Sequence, residues 1–419
     1  MKHVAVIGGG VVGLTTAWEL MNAGFAVTLL ERGDSVAAGA SHGNGGQLSY
    51  RYVSPLADAG IPIKALGWIM RADSPLRFRP KLDWRQWLWM ASFLAHCTTK
   101  TNRLTTGRLL RLGMLSQVAF DALGDVVPTE TIALRKPGKL VVYRRRKEFD
   151  KAARIAAAEN DAATADEVRI LSAQACVVLE PALADARQLL AGGIYTRNEA
   201  VADCRAFCLQ LLSKLQERPE FRLLTDTGAT GFVTRGGVVV AVSAGKREIA
   251  ADECVIAAGL QSVALAASVG VRLPIYPLKG YSLSAPIGAD HSAPEVSVTD
   301  FEQKVLYARI GNQLRVAAMA DLVGNDESID KGRLASLQRI VRATMPRAAD
   351  YDRAIPWAGL RPATPGGAPI LGKTTVAGLW LNVGHGPLGF TFASGSARIL
   401  AALISRRESP IPLDGLTLA

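Results

Sequence analysis

The sequence predicts a mixed α/β fold in which a Rossmann-like dinucleotide-binding domain carries an inserted second domain of antiparallel sheet and helices. Three observations predict it. Met1 to Arg32 reads as strand, glycine-rich turn, helix and strand, the order of a nucleotide-binding unit. Two passages far along the chain, Cys254 to Gly259 and Leu379 to Gly389, are apolar runs that end in small residues and suit the same buried sheet. Between them, Pro277 to Ser284, Val305 to Ile310 and Gln313 to Met319 alternate like half-buried strands. One domain is therefore expected from residues 1–56, 196–262 and 352–419, and a second, substrate-binding domain from 57–195 and 263–351.

Lys2 to Ile7 is rich in β-branched residues and reads as a buried strand. Gly8-Gly9-Gly10-Val11-Val12-Gly13 fits G-x-G-x-x-G. Gly8 permits the tight turn, Gly10 lets backbone N–H groups approach a pyrophosphate, and Gly13 lets the helix pack close to the strand. Val11 and Val12 complete that turn. Leu14 to Ala23 continues as a helix whose N-terminus faces the phosphates, and Gly24 closes it. Phe25 to Leu30 is the second strand, followed by Glu31 and Arg32. Glu31 can accept both hydroxyls of an adenosine ribose and would repel a 2′-phosphate. The small residues from Ala38 to Gln47 allow a backbone to lie against a flat ligand, with Ser41, Asn44, Gly45, Gly46 and Gln47 expected on it.

Residues 55 to 100 change character. Trp68, Trp84, Trp87 and Trp89 interleave with Arg71, Arg77, Arg79, Lys81 and Arg85. Trp84 to Ala95 reads as a helix that is apolar nearly all round. Two readings stand: a helix buried in the second domain, or an interfacial element, since Trp and Arg together suit a membrane surface. Further helices are expected over 103–124, 151–158 and 329–345, and one running to about residue 404. Lys139 to Tyr143 and Gly192 to Thr196 read as strands, and Asp203 caps a helix from Cys204 to Gln216. A meander turns at Gly236-Gly237 and Ala244-Gly245, and Gly311-Asn312 makes a hairpin.

The formal net charge is +11, yet the densest basic run is only Arg144 to Lys147, so no nucleic-acid-binding block is present. That run reads as a solvated loop, or as attraction to an anionic surface. The five cysteines include no C-x-x-C, which argues against a disulfide frame, a zinc site or an iron–sulfur cluster. No metal is expected. Cys204 and Cys208 are expected to pack in the core. The N-terminal apolar run is the first strand rather than a signal peptide, and no run of 18 apolar residues suggests a membrane span. The expected setting is cytoplasmic, with peripheral contact at the cytoplasmic face of the inner membrane as its extension.

Gly384 to Gly389 follows a strand and opens a helix, offering a second helix N-terminus. A reduced flavin carries negative charge near N1 and the C2 oxygen, which such a terminus stabilises, whereas a nicotinamide has no such need. FAD is therefore the expected cofactor, with Gly384, Gly386, Leu388 and Gly389 near its ring and Ala258 and Gly259 close by.

The chain resembles the FAD-dependent D-amino acid dehydrogenases of the D-amino acid oxidase superfamily over nearly its whole length. The resemblance rests on Val6 to Gly13, Asn44 to Ser49, Tyr276 to Leu283, Gly359-Leu360-Arg361-Pro362-Ala363-Thr364-Pro365, and Asn382 to Gly389. It departs at Gly366, where that family commonly has Asp, and around Ser41-His42. The resemblance implies a glutathione-reductase-type FAD domain and oxidative deamination of D-amino acids. A hydride passes from Cα to flavin N5, and water turns the imino acid into a 2-oxo acid, or a cyclic imine remains. It implies that Arg361 binds the substrate carboxylate and that Tyr281 and Tyr52 line the site. His385 either contacts the flavin and closes the pocket, or supports its loop. Electrons are expected to pass to a quinone or other respiratory acceptor. A D-proline or hydroxy-D-proline dehydrogenase, and an oxygen-using oxidase of glycine, sarcosine or D-amino acids, are the alternatives.

Overall fold

A computed structural model describes residues 1–62, 74–159 and 167–418. Trp68 and Arg71 lie outside the described residues. Strand β1 (His3–Ile7), helix α1 (Val11–Asn22) and strand β2 (Ala26–Leu30) form the expected opening unit. The helix starts three residues earlier than its apolar pattern suggested, because Gly10 takes the extended N-cap position and its carbonyl accepts from Leu14 N–H at 3.0 Å. Six strands make the first sheet, in the order Ile370–Lys373, Leu379–Val383, Glu253–Ile256, β1, β2, Phe221–Leu224. All but the first pair in parallel, and both faces are covered. Val4 and Val6 pack with the α1 side, Ala5 and Ile7 with the meander Gly231–Ala250. Burial on both faces explains why these strands are continuous apolar runs, each large side chain contributing about 1.5–3 kcal/mol.

Helix α2 (Trp84–His96) is buried on one side and exposed on the other. Trp89 and Phe93 are buried against Tyr276, Leu278 and Ala363, while Trp84, Trp87, Leu88 and Leu94 face outward. Helix α3 (Thr99–Asp121) crosses to the first domain. Its Ser116 Oγ donates to Thr391 O at 2.6 Å and accepts from Gly395 N–H at 3.0 Å. By packing, this helix belongs with the cofactor domain, contrary to the expected boundary at residue 57.

The second sheet has nine strands. Strands β3 (Lys139–Tyr143), β4 (Tyr276–Pro286), β5 (Gln313–Leu322) and β6 (Ile355–Ala363) carry the side chains that matter below. The order is β6, β4, β5, Val305–Ile310, Ser297–Asp300, β3, Gly192–Thr196, Val168–Ser172, with Leu76–Phe78 beside β5. The boundary expected at 352 is also corrected, since β6 pairs with β4 along its whole length. One face of this sheet is covered by α4 (Lys331–Thr344), which packs on Tyr281, Leu283, Tyr307 and Val316. The other face meets the loop of residues 41–47.

The basic run is not simply a solvated loop. Arg144 Nε pairs with buried Asp300 at 2.6 Å, and Arg146 opens the helix Arg146–Glu159. All five cysteines are buried and free. Helix α5 (Gly389–Ile404), with the turn before it, is apolar and long enough to cross a membrane, but two-thirds of it is buried in the protein against α1 and α3.

Candidate active site

The glycine turn is built as its spacing requires. A Cβ at Gly13 would stand 1.8 Å from Gly8 O, so the close approach of helix and turn requires a glycine there. Gly8, at φ +113°, lies against the end of the Glu253–Ile256 strand, where a Cβ would be 2.8 Å from Ala258 Cα. Ala258 therefore sits at the glycine turn, and Gly259 follows it with φ +56°. Glu31 is fixed by two backbone donors, Gly9 N–H to Oε2 at 2.8 Å and Gly33 N–H to Oε1 at 2.9 Å. Arg32 beside it is exposed. Ser41 Oγ accepts from Val11 N–H at 3.0 Å, so a hydroxyl stands where α1 presents its N-terminal donors.

From Ser41 the loop runs along the second sheet. Here the glycines have a different purpose from the expected one. A Cβ at Gly43, Gly45 or Gly46 would come within 2.5, 2.4 or 2.3 Å of Trp357, Leu306 or Ile310. These residues let the loop lie against the sheet. Asn44 Oδ1 accepts from Gly46 N–H at 2.9 Å, and Asn44 O accepts from Arg315 Nη1 at 2.7 Å. The loop ends at α5. Gln47 O accepts from Thr391 Oγ1 at 3.2 Å, in the first turn of that helix. Gly384 and Gly386 take positive φ, and Leu388 precedes Gly389 without a side-chain cap.

Helices α1 and α5 lie side by side, joined by Thr15 Oγ1 donating to Ala393 O at 3.2 Å. Glu31, the α1 N-terminus, the 41–47 loop and the α5 N-terminus thus follow one another. Neither helix carries an acidic residue in its first turn or a side-chain cap. That series fits an extended dinucleotide: an acid for the ribose, a helix end for the pyrophosphate, and a second helix end for the ring.

Arg361 projects from β6 on the face that meets the loop. Trp357, Gly359 and Arg361 share that face with Gly280 and Ser282, their partners in register being Ser282, Gly280 and Leu278. A Cβ at Gly280 would stand 2.1 Å from Arg361 Nη2, so the guanidinium lies over that glycine. Nη1 donates to Met319 O at 2.9 Å, and among the described residues no carboxylate pairs with it. Burial lowers its pKa to about 10, opposed by Asp321, so it stays charged at neutral pH although its surface is only half-buried.

Tyr52 sits farther along the same face, its ring 4.7 Å from Lys139 Nζ. It is 38% exposed yet crowded enough that desolvation pushes its phenol to about 12. Tyr281 is a correction. It alternates with Gly280 and points the other way, into the α4 core, where it is 1% exposed. It cannot line a site on the Arg361 face. Lys279 shares that wrong face, and Arg51 is engaged by Glu167 at 2.7 Å.

His385 supports its loop. Its Nε2 lies 3.1 Å from Ser396 Oγ in α5, and the residue bridges to Ala363. Desolvation lowers its pKa to about 3. The unfolded imidazole protonates near pH 6.5 while the folded one stays neutral, so stability falls as pH drops below that value, by up to about 1.4 kcal/mol per unit. Urea unfolding at pH 7.5 and 5 should show His385→Gln less acid-sensitive than the parent by up to about 2 kcal/mol. Equal acid sensitivity would mean the folded ring takes up its proton freely.

Sequence reasoning passed over Lys139, Glu199 and Arg315. Alternation along Lys139–Tyr143 puts Lys139 on one face of its strand, but only the register shows that this face is the one Arg361 occupies.

A profile of the FAD dependent oxidoreductase (DAO) family matches residues 3–403. The chain is 47% identical over 415 residues to D-amino acid dehydrogenase 2 of Pseudomonas aeruginosa, covering 99% of this chain and 98% of that one. It is 44% identical over 425 residues to D-amino acid dehydrogenase 2 of Ralstonia nicotianae, covering 100% of both. Among solved structures, glycine oxidase from Geobacillus kaustophilus superposes with a TM-score of 0.77 at 21% identity, covering 100% of this chain and 99% of that one. The L-proline dehydrogenase from P. horikoshii gives 0.74 at 16% identity, covering 99% and 96%. These two establish a shared fold.

Proposed function

Given that the chain belongs to the DAO family of FAD dependent oxidoreductases, we propose that it is a D-amino acid dehydrogenase. It would convert D-amino acids to 2-oxo acids and ammonia, or proline-like ones to cyclic imines. The observation that carries the substrate class is Arg361: a charged guanidinium, free of carboxylates among the described residues, on the face that meets the cofactor loop. A planar fork with one edge held by Met319 O offers its other edge to a substrate carboxylate. FAD, held by Glu31, the α1 N-terminus, the 41–47 loop and the α5 N-terminus, would supply the two-electron oxidant that turns the Cα–N bond into C=N, the amine nitrogen giving up a proton. Gly280 and Gly359 make the close packing possible, the Arg361 guanidinium lying over the first and the Trp357 ring over the second.

Anaerobic mixing with D-amino acids, L-amino acids, proline analogues and sarcosine, followed by flavin bleaching, tests this reading. D-amino acids should bleach the flavin fastest. Preferential bleaching by glycine or sarcosine would favour the oxidase reading, and by L-amino acids would refute both.

For the acceptor, the reading is a membrane quinone. Support comes from α2, whose outer face carries Trp84, Trp87, Leu88 and Leu94 without a charge among them. Exposed Arg79, Lys81, Arg85, Lys100 and Arg103 flank it in the chain, and among the described residues 74–103 the single acid is Asp83. That combination suits an anionic bilayer surface. The inner side of the same helix donates from Trp89 Nε1 to Ala363 O at 2.8 Å, two residues from Arg361. The parent should co-sediment with anionic liposomes at low salt, and Trp84→Glu/Trp87→Glu should lose most of that binding while keeping turnover with a soluble dye. Binding unchanged in the double variant would discard this surface.

A further inference from the structure

Lys139 is a buried cation that the proposed reaction does not use. Its side chain is 1% exposed on the face that Arg361 shares. Nζ donates to Gln47 Oε1 at 2.7 Å and to Ser49 Oγ at 3.3 Å. With the Tyr52 ring, these make a shell of uncharged groups. The charge that acts on it is Glu199, itself 2% exposed. Glu199 Oε1 accepts from Arg51 N–H at 2.9 Å, and the Ser49 hydroxyl and Tyr50 N–H also act on this carboxylate. Gly138 N–H donates to Glu199 O at 3.1 Å, holding the two chain segments together.

The contacts of Lys139 lead to the cofactor end of α5. Gln47 O accepts from Thr391 Oγ1, and Ser49 N–H donates to the same hydroxyl at 3.3 Å. Lys139 therefore stands one layer behind the backbone that closes on the α5 N-terminus. Burying an ammonium without a contacting anion costs stability, and such groups collect where their charge is used. Here a second positive source backs the helix end, where a flavin gains negative charge on reduction.

We propose that Lys139 is a positioning residue whose buried charge, relayed through Gln47 and Ser49, stabilises the reduced form of bound FAD and raises its reduction potential, with Glu199 opposing it. The proposal rests on the FAD-binding reading. Burial lowers the Lys139 ammonium to about 7, against the pull of Glu199, so at pH 6 it carries its proton.

The experiment measures the two-electron midpoint potential of the purified holoenzyme at pH 6 against reference dyes. Lys139→Met should shift the balance toward oxidised FAD by at least about tenfold, or about 30 mV. Lys139→Arg, which keeps the charge, should stay near the parent. Glu199→Gln should move the potential the opposite way from Lys139→Met. FAD content and thermal midpoint, measured alongside, read any loosening of the loop. A purely structural role would lower these without opposite shifts in potential, and that result overturns the proposal. So does a parent-like potential in Lys139→Met. If Lys139→Met does not fold, Glu199→Gln decides, and an unchanged potential there rejects the idea. A parent that holds FAD but is reduced by no D-amino acid would sink the substrate reading and leave this measurement valid.

Discussion

Arg361→Ala should keep its FAD and its fold while its flavin is reduced by D-amino acids at least about a hundredfold more slowly. The Arg361 guanidinium bonds to Met319 O, which lies outside the three cofactor loops. Loss of a bidentate charge-assisted pair removes roughly 1.5–3 kcal/mol, and more where the carboxylate is desolvated. Loss of the clamp also misaims Cα, and a displacement of about 1 Å can by itself cost about a hundredfold. Both affinity and the reduction rate should therefore fall. Arg361→Lys should recover only part, because an ammonium held by Met319 O has no second parallel edge. Anaerobic stopped-flow reduction at matched substrate concentrations is the measurement. A parent-like rate in Arg361→Ala would make this arginine structural and place the carboxylate elsewhere, with Arg315 the next cation on the same face to test.

Gly13→Ala should abolish FAD retention and destabilise the protein by about 3 kcal/mol or more. The added Cβ would lie 1.8 Å from Gly8 O, a backbone atom with no freedom to rotate aside. Helix α1 must then move off β1, and the helix end that faces the cofactor moves with it. Gly39→Ala is the matched control, since a Cβ there meets nothing within 4 Å. Thermal unfolding and FAD content after gel filtration should separate the two variants clearly. A yellow, parent-like Gly13→Ala would mean that this crossing is far softer than its geometry.

The opening βαβ unit was legible because local rules agree there: β-branched strand, glycine turn, apolar helix, acid. Arg361 was legible from its motif, but the facing of its neighbours was not. Tyr281 and Gly280 are adjacent in the chain, and only the register Gly280↔Gly359 decides that the glycine shares the side of Arg361. Strand β6 escaped notice because Pro356 and Pro362 argue against a strand. It ends the sheet's order, where missing backbone donors cost little. Helix α2 gave two readings because one helix has two apolar sides; the buried side meets Tyr276 and Leu278, and the other is exposed. The glycines at 43, 45 and 46 show a subtler gap. Their number signals close approach, but not what approaches.

The side-by-side placement of α1 and α5 also constrains how the chain can be made. Thr15 and Ala393 bond across 378 residues, and β1, already flanked by β2, finds its second parallel partner only at Glu253–Ile256. At a synthesis rate of about 5–20 residues per second, the first helix waits roughly 20–75 s for the last. Throughout that interval the side of α1 that meets α5 lacks its neighbour. Such non-local closure makes folding slow and leaves the nascent N-terminus prone to aggregation. A ribosome stalled before residue 389 would therefore release a chain in which α1 lacks the helix it packs against, however complete its own motif.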